Sequence, residues 1–223
     1  MPSSIFSHQA PGLILKTKYP HKFDGTALCI STFVPDLNVF FELFLPIKVR
    51  NITHSILGVV LFTLPLTIIL TMIFCAYFGP FSAKIAKKNG ILSKPLKFLG
   101  VDKFDNLKKK KFNRKFVVVA SYSALIGGMM HLLLDLPAHE YNELFFPWVI
   151  LQNPDVFLYS IIDFGTVKIG SRLFEYNLTV YQLIWNIETV ITFVITIYLL
   201  RYIKKHNLIS KWYDQALSKK LSS

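Results

Sequence analysis

The 223-residue chain reads as an all-α protein: a multi-pass transmembrane helical bundle with short N-terminal interfacial helices, built as a single integral membrane domain over residues 1–223. Three observations predict this. Hydrophobic residues make up 52% of the chain and charged residues only 17%, with a mean hydropathy of +0.44, against about 45–50% and about 25% in ordinary soluble domains. Three segments are apolar over lengths that suit a bilayer. The basic residues are gathered between and after those segments rather than spread evenly. The 20 Phe, 10 Tyr and 3 Trp exclude a disordered chain. Two cysteines, Cys29 and Cys75, exclude a disulfide framework.

The spans follow from run length. About 20 apolar residues cross the hydrocarbon core as a helix. Ser55 to Ala83 contains no Asp, Glu, Lys or Arg over 29 residues, which predicts a first span at 56–78. Pro65 falls inside it, and a membrane helix tolerates a proline better than a soluble one. Phe116 to Leu134 is uncharged over 19 residues and predicts a second span at 116–134. Between Tyr176 and Leu200 the one formal charge is Glu188, and a third span is predicted at 183–200. Residues 1–50 are apolar in two pieces, Ala27–Val34 and Leu37–Pro46, divided by Pro35-Asp36. They read as two short helices with a turn between them. A full passage of 27–46 is the alternative and would move the N-terminus to the other side.

Charge sets the expected orientation. The loop 79–115 holds twelve Lys/Arg against two Asp/Glu, and the tail 201–223 holds six against one. Residues 116–200 hold two against seven. Lys/Arg-rich segments stay cytoplasmic, so 79–115 and 201–223 are expected inside the cell membrane, and 136–180 and the N-terminal segment outside. Lys108 to Lys111 with Arg114 and Lys115 could suggest nucleic acid. The block abuts a span, however, where anionic headgroups attract each Lys or Arg by about 1 kcal/mol. Membrane lipids are therefore the expected partner and nucleic acid is not. Nothing at the N-terminus has the charged start, apolar run and small-residue site of a removable signal.

Ionisable side chains at membrane depth are costly and usually functional. Here they are of metal-ligand type: His8, Asp36, His54, His131 and Asp135, with His139 close behind. His131 and Asp135 stand four residues apart and share a helix face. Pro137 makes a straight continuation to His139 unfavourable, because its ring clashes with the Leu133 carbonyl. The orientation drawn from Lys/Arg alone places His54 at the outer start of the first span, and His131 and Asp135 at the outer end of the second. The outer N-terminal segment can bring His8 and Asp36 to the same place. Asp36 should then share an ion with His54. Imidazole with carboxylate suits zinc first, and manganese or iron in a more oxygen-rich sphere.

The order of these motifs also resembles a known family. His8, Val34-Pro35-Asp36-Leu37, Arg50-Asn51-Ile52-Thr53-His54-Ser55, and His131-Leu132-Leu133-Leu134-Asp135 with His139 follow the pattern of the prokaryotic predicted membrane-bound metal-dependent hydrolases and their relatives of unknown function. The likeness covers about residues 1–150. Asn38 stands where many of those proteins carry a second acid. The resemblance implies metal-dependent hydrolysis. A water on the metal would attack an ester or phosphodiester, the depth of the site suggests a lipid or lipid-linked substrate, and Glu140, adjacent to His139, is the expected base. No Gly-x-Ser-x-Gly, Walker loop or His-Glu-x-x-His is present in the sequence. Two other classes fit the composition: a non-enzymatic membrane protein with a structural metal or polar cluster, and a small transporter subunit with Asp36, Asp135 and Glu188 along its path.

Overall fold

A computed structural model describes residues 4–42, 49–138, 141–169 and 172–213. Three of its helices are long and apolar enough to cross a membrane: Ile56–Lys87, Arg114–Asp135 and Val180–Lys205. Each extends beyond its predicted bounds into polar flanks. In their most apolar windows only 28%, 39% and 17% of residues are buried within the protein. The third span turns Val190, Val194 and Tyr198 outward, each more than half exposed. So much outward apolar surface suits lipid rather than water.

The first span starts at Ser55, whose hydroxyl accepts from the Gly58 N–H at 2.9 Å. The second starts at Asn113, whose side chain accepts from the Phe116 N–H at 3.0 Å. In the third the Gln182 side chain accepts from the Thr179 N–H at 3.0 Å. Each side chain satisfies a donor that the first helical turn leaves unpaired. The first span widens twice into π-helix, at Val59–Thr63 and at Phe74–Phe78. Both widenings lead directly into a proline, Pro65 and Pro80. Proline lacks an N–H and its ring presses on the carbonyl four residues back, and a π-turn relieves that pressure without breaking the helix.

The N-terminal segment is a helical hairpin. α1 (Ser4–Ser7) and α2 (Gln9–Lys18) pack on the third span, and α3 (Gly25–Ser31) packs on the second. Gly127 makes the α3 contact feasible. A Cβ there would run into the Ser31 hydroxyl and stand 2.7 Å from the Leu28 carbonyl oxygen. Small residues at such crossings let membrane helices approach closely. On the opposite side, Thr63, Thr67 and Thr71 form a fully buried stripe of the first span at four-residue spacing. The hairpin's tip is pinned at the basic end, where Lys110 Nζ reaches Asp24 Oδ2 at 2.8 Å and Thr26 Oγ1 at 3.3 Å. The Asp24 N–H donates to Ser123 Oγ at 2.9 Å. A 3-10 turn (Val34–Leu37), α4 (Asn38–Glu42) and α5 (Arg50–Thr53) then lead into the first span.

The all-α expectation needs correction. Two antiparallel strand pairs follow the second span: β1 (Tyr141–Phe145) with β2 (Val149–Gln152), and β3 (Ser160–Ile169) with β4 (Arg172–Thr179). This stretch is rich in Val, Ile, Tyr and Phe, which favour extended backbone. The basic loop 79–115 is itself mostly helical, in the end of the first span, in Ser93–Phe98 and in a 3-10 stretch Val101–Lys109. Helix α2 was not foreseen either, and the predicted apolar piece Leu37–Pro46 is helical over Asn38–Glu42, with 43–48 outside the described residues.

Candidate metal centre

Asp36, His54, His131 and Asp135 meet at one end of the bundle, where the first span begins and the second ends. The motif around His54 explains its placement residue by residue. His54 closes α5, and Ser55 caps the span that follows. The Ser55 hydroxyl donates to the Ile52 carbonyl at 2.7 Å, so the connection folds tightly back on α5. Gly58 has no room for a side chain, because a Cβ would collide with the Ile52 carbonyl oxygen. Asp36 follows Pro35 in the 3-10 turn. Asp135 is the last residue of the second span, one turn beyond His131.

Both imidazoles are oriented through the nitrogen that faces away from the cluster. His131 Nδ1 lies 2.8 Å from the Thr32 carbonyl oxygen. A carbonyl can only accept, so Nδ1 carries the proton and Nε2 is left with its lone pair. His54 Nδ1 lies 3.0 Å from Thr53 Oγ1, whose own proton goes to the Arg50 carbonyl at 3.2 Å. Thr53 therefore accepts from His54, and again Nε2 is the free base. Such outer partners are what metal-bound histidines ordinarily have.

The inner atoms are spaced as ligands rather than as hydrogen-bond partners. His54 Nε2 stands 3.5 Å from Asp36 Oδ1 and 3.6 Å from Asp135 Oδ2. His131 Nε2 stands 3.6 Å from Asp36 Oδ1, 3.4 Å from Asp135 Oδ2 and 3.5 Å from His54 Nε2. Hydrogen bonds of this kind run about 2.7–3.2 Å. Two ligands about 2.0–2.2 Å from one tetrahedral ion stand about 3.3–3.6 Å apart. All four donors lie within 4.8 Å of one another, so the cluster could hold a metal ion. His131 is fully buried and the Asp36 side chain is 30% exposed, which makes the Asp36 side the more open one.

His8 joins from the α1–α2 junction. Its Nε2 is 3.7 Å from Asp135 Oδ1, and its ring stands edge-on to His131 with centroids 4.8 Å apart. His139 and Glu140 lie outside the described residues. Asn38, where the resembling proteins carry an acid, donates to Glu42 Oε1 at 3.3 Å. The Arg50 N–H donates to the same oxygen at 2.8 Å. That backbone N–H, helped by Asn38, holds the Glu42 carboxyl below its ordinary pKa.

A cleft beside the cluster is lined by Arg50, His54, Asp135, Asn142 and Glu143, with Leu132, Leu136 and Leu144 supplying an apolar wall. Arg50 Nε is 3.8 Å from Glu143 Oε1. Arg50 stood in the quoted motif without an assigned role. Asn142 and Glu143 carried no signal in the sequence, because they reach the cleft through a hairpin that the apolar pattern did not reveal.

A membrane-type helical bundle with a buried His/Asp cluster at one end is thus the class that fold and site define. The chain belongs to the family described as DUF4184, a domain of unknown function, which it matches over residues 1–221. No curated protein and no solved structure matches it.

Proposed function

We propose that the chain is a multi-pass protein of the cell membrane that hydrolyses an ester or phosphodiester with a divalent metal held by Asp36, His54, His131 and Asp135. The observation that carries the reading is the set of five donor separations between 3.4 and 3.6 Å, which match ligands sharing one ion and exceed ordinary hydrogen-bond lengths. An ion bound there would supply a Lewis acid and shift the pKa of a water ligand toward about 7. The chain supplies the rest. Arg50, at the cleft beside His54 and Asp135, offers a fork of N–H donors to an anionic oxygen. Leu132, Leu136 and Leu144 make the other wall of that cleft apolar. Glu143 places a carboxylate at the same cleft, where a proton could be held. Zinc is the favoured ion, with manganese or iron the alternatives, and a site at one end of the spans favours a lipid or lipid-linked substrate.

The orientation completes the proposal: the basic segments face the cytoplasm and the metal centre faces outward. Cysteines introduced at the exposed positions Asn89 and Asp155 are expected to react with impermeant maleimide from opposite sides of sealed cells or vesicles. Labelling of both from one side would overturn this topology.

The activity is tested on purified protein stripped by chelator and reloaded with zinc or manganese. Product release from phospholipids and chromogenic phosphodiesters is expected to need the metal and to fall at least about 100-fold in Asp135→Asn, as losses of positioned catalytic groups do. Stoichiometric metal binding with no turnover across both substrate classes would favour a structural centre instead.

A further inference from the structure

We propose that the β1–β2 hairpin is a membrane finger. Its tip, residues 145–151, is seated at the boundary of headgroups and acyl chains in the leaflet on the metal-centre side, and the cleft behind it opens at headgroup level. The inference rests on the three long apolar helices crossing a bilayer. It does not require the His/Asp cluster to be catalytic.

The composition and exposure of the tip point to lipid. Leu144 to Leu151 is a run of eight residues with no charged side chain and no Ser, Thr, Asn or Gln. The hairpin nonetheless turns most of them outward. Trp148 in the turn is 76% exposed, Val149 50% and Ile150 49%, and Phe145 and Leu151 are exposed as well. Successive strand residues point to opposite faces, so Val149 and Ile150 put apolar side chains on both. A protein partner laid on one face would leave the other in water. A surrounding apolar medium covers both. A two-stranded hairpin standing in water is at best marginally stable.

The hairpin also runs in the right direction. At its base Asn142 Nδ2 donates to Asn153 Oδ1 at 2.8 Å, and Asn153 Nδ2 donates to the Leu136 carbonyl at 2.9 Å, just past the end of the second span. Further along β1, Leu144 lines the cleft with Leu132, one turn back inside that span. β1 packs against Ile56–Gly58, the first turn of the first span. From base to tip the strand therefore returns along the span ends toward the bilayer.

Backbone chemistry sets the depth. The outer edges of a two-stranded hairpin carry N–H and C=O groups with no neighbouring strand, and such edges are not tolerated facing lipid in the hydrocarbon core. The headgroup zone offers water and polar groups to those edges, while the acyl boundary, entered to about 5–10 Å by interfacial elements, takes the apolar side chains. Tryptophan concentrates at this level, which suits Trp148 at the tip. Asn142, Glu143 and Asn153 stay on the water side, with Glu143 Oε1 3.8 Å from Arg50 Nε. A phospholipid whose chains lie against the tip brings its headgroup to the cleft lined by Arg50, His54 and Asp135.

The test uses full-length protein with one tryptophan at a time, reconstituted into phosphatidylcholine vesicles whose acyl chains carry bromine at a shallow or a deep position. The chain has three tryptophans, Trp148, Trp185 and Trp212. Trp185→Phe with Trp212→Phe leaves Trp148 as the probe. Trp148→Phe with Trp212→Phe leaves Trp185, inside the third span, as the reference. Every replacement keeps an aromatic ring. Trp148 emission is expected to be quenched by bromolipid, more by the shallow than by the deep position, and far less by iodide in the water. Trp185 quenched by bromolipid while Trp148 responds to iodide alone overturns the finger and leaves the spans standing. Trp148 silent to both quenchers beside a quenched Trp185 puts the tip in a protein contact, such as a second copy of the chain, and also overturns the finger. Neither tryptophan quenched by bromolipid overturns the finger together with the membrane-crossing reading.

Discussion

His131→Ala is expected to abolish stoichiometric metal binding, and His54→Ala to do the same. Each removes one of four donors, and the loss should exceed the 10–100-fold that removal of an outer partner costs. Thr53→Val supplies that smaller effect for comparison, because it withdraws the acceptor that orients His54 Nδ1 at 3.0 Å while leaving every ligand in place. His21, exposed and remote from the cluster, is the control, and His21→Ala should bind as the wild type does. Competition against a chromophoric chelator measures all four. Truncating His131 also leaves a hole at a fully buried position, so thermal denaturation should accompany the binding data. With chelator present, the variants show only their packing defects. With metal at about 1,000 times its dissociation constant, the wild type and His21→Ala gain about 4 kcal/mol of stability by linkage, and His131→Ala and His54→Ala do not. Equal metal-induced stabilisation of wild type and His131→Ala would refute the ligand assignment.

Gly127→Val is expected to disrupt the close contact between α3 and the second span. Even a Cβ at this position meets the Ser31 hydroxyl and the Leu28 carbonyl. Backbone stands on one side of the contact, so the helices must separate rather than a side chain rotate. Overpacking of this kind costs about 1–3 kcal/mol, and the shift would also pull the Thr32 carbonyl off His131 Nδ1, one turn further along. Gly127→Val should therefore lower both the unfolding temperature and the metal affinity. Gly90→Ala, where an added Cβ meets nothing within 4 Å, should change neither. A Gly127→Val protein with wild-type stability and wild-type metal binding would contradict the role given to this crossing.

The three helices long and apolar enough to cross a membrane were legible in the sequence, because long charge-free apolar runs are produced by few constraints other than a bilayer. The cluster was legible for a related reason. Polar residues such as His131 and Asp135 stand out against apolar neighbours, and their four-residue spacing places them on one face. The close approach of Asp36 to His54, 3.5 Å between their facing atoms, agrees with the expectation that the Pro35-Asp36 turn reaches the start of the first span. What the sequence hid was set by tertiary contact. The sequence of α2 combines Pro11, Gly12 and Lys16, a poor helical signal, and the helix exists because it packs against the third span. Hairpins β1–β2 and β3–β4 lie in a region whose apolar residues resemble those of a membrane protein generally, so composition alone did not separate strand from loop. Glu188 looked like an interruption of a span, or a step on a transport path.

The assignment of a metal centre meets its most direct test in X-ray absorption on the wild-type protein carrying one equivalent of zinc in detergent micelles. Two imidazole nitrogens and two carboxylate oxygens at about 2.0–2.2 Å are expected, with the imidazole contribution lost in the His54→Ala, His131→Ala double variant. A zinc spectrum with no imidazole scattering, or one unchanged by the double substitution, would contradict a centre built from Asp36, His54, His131 and Asp135.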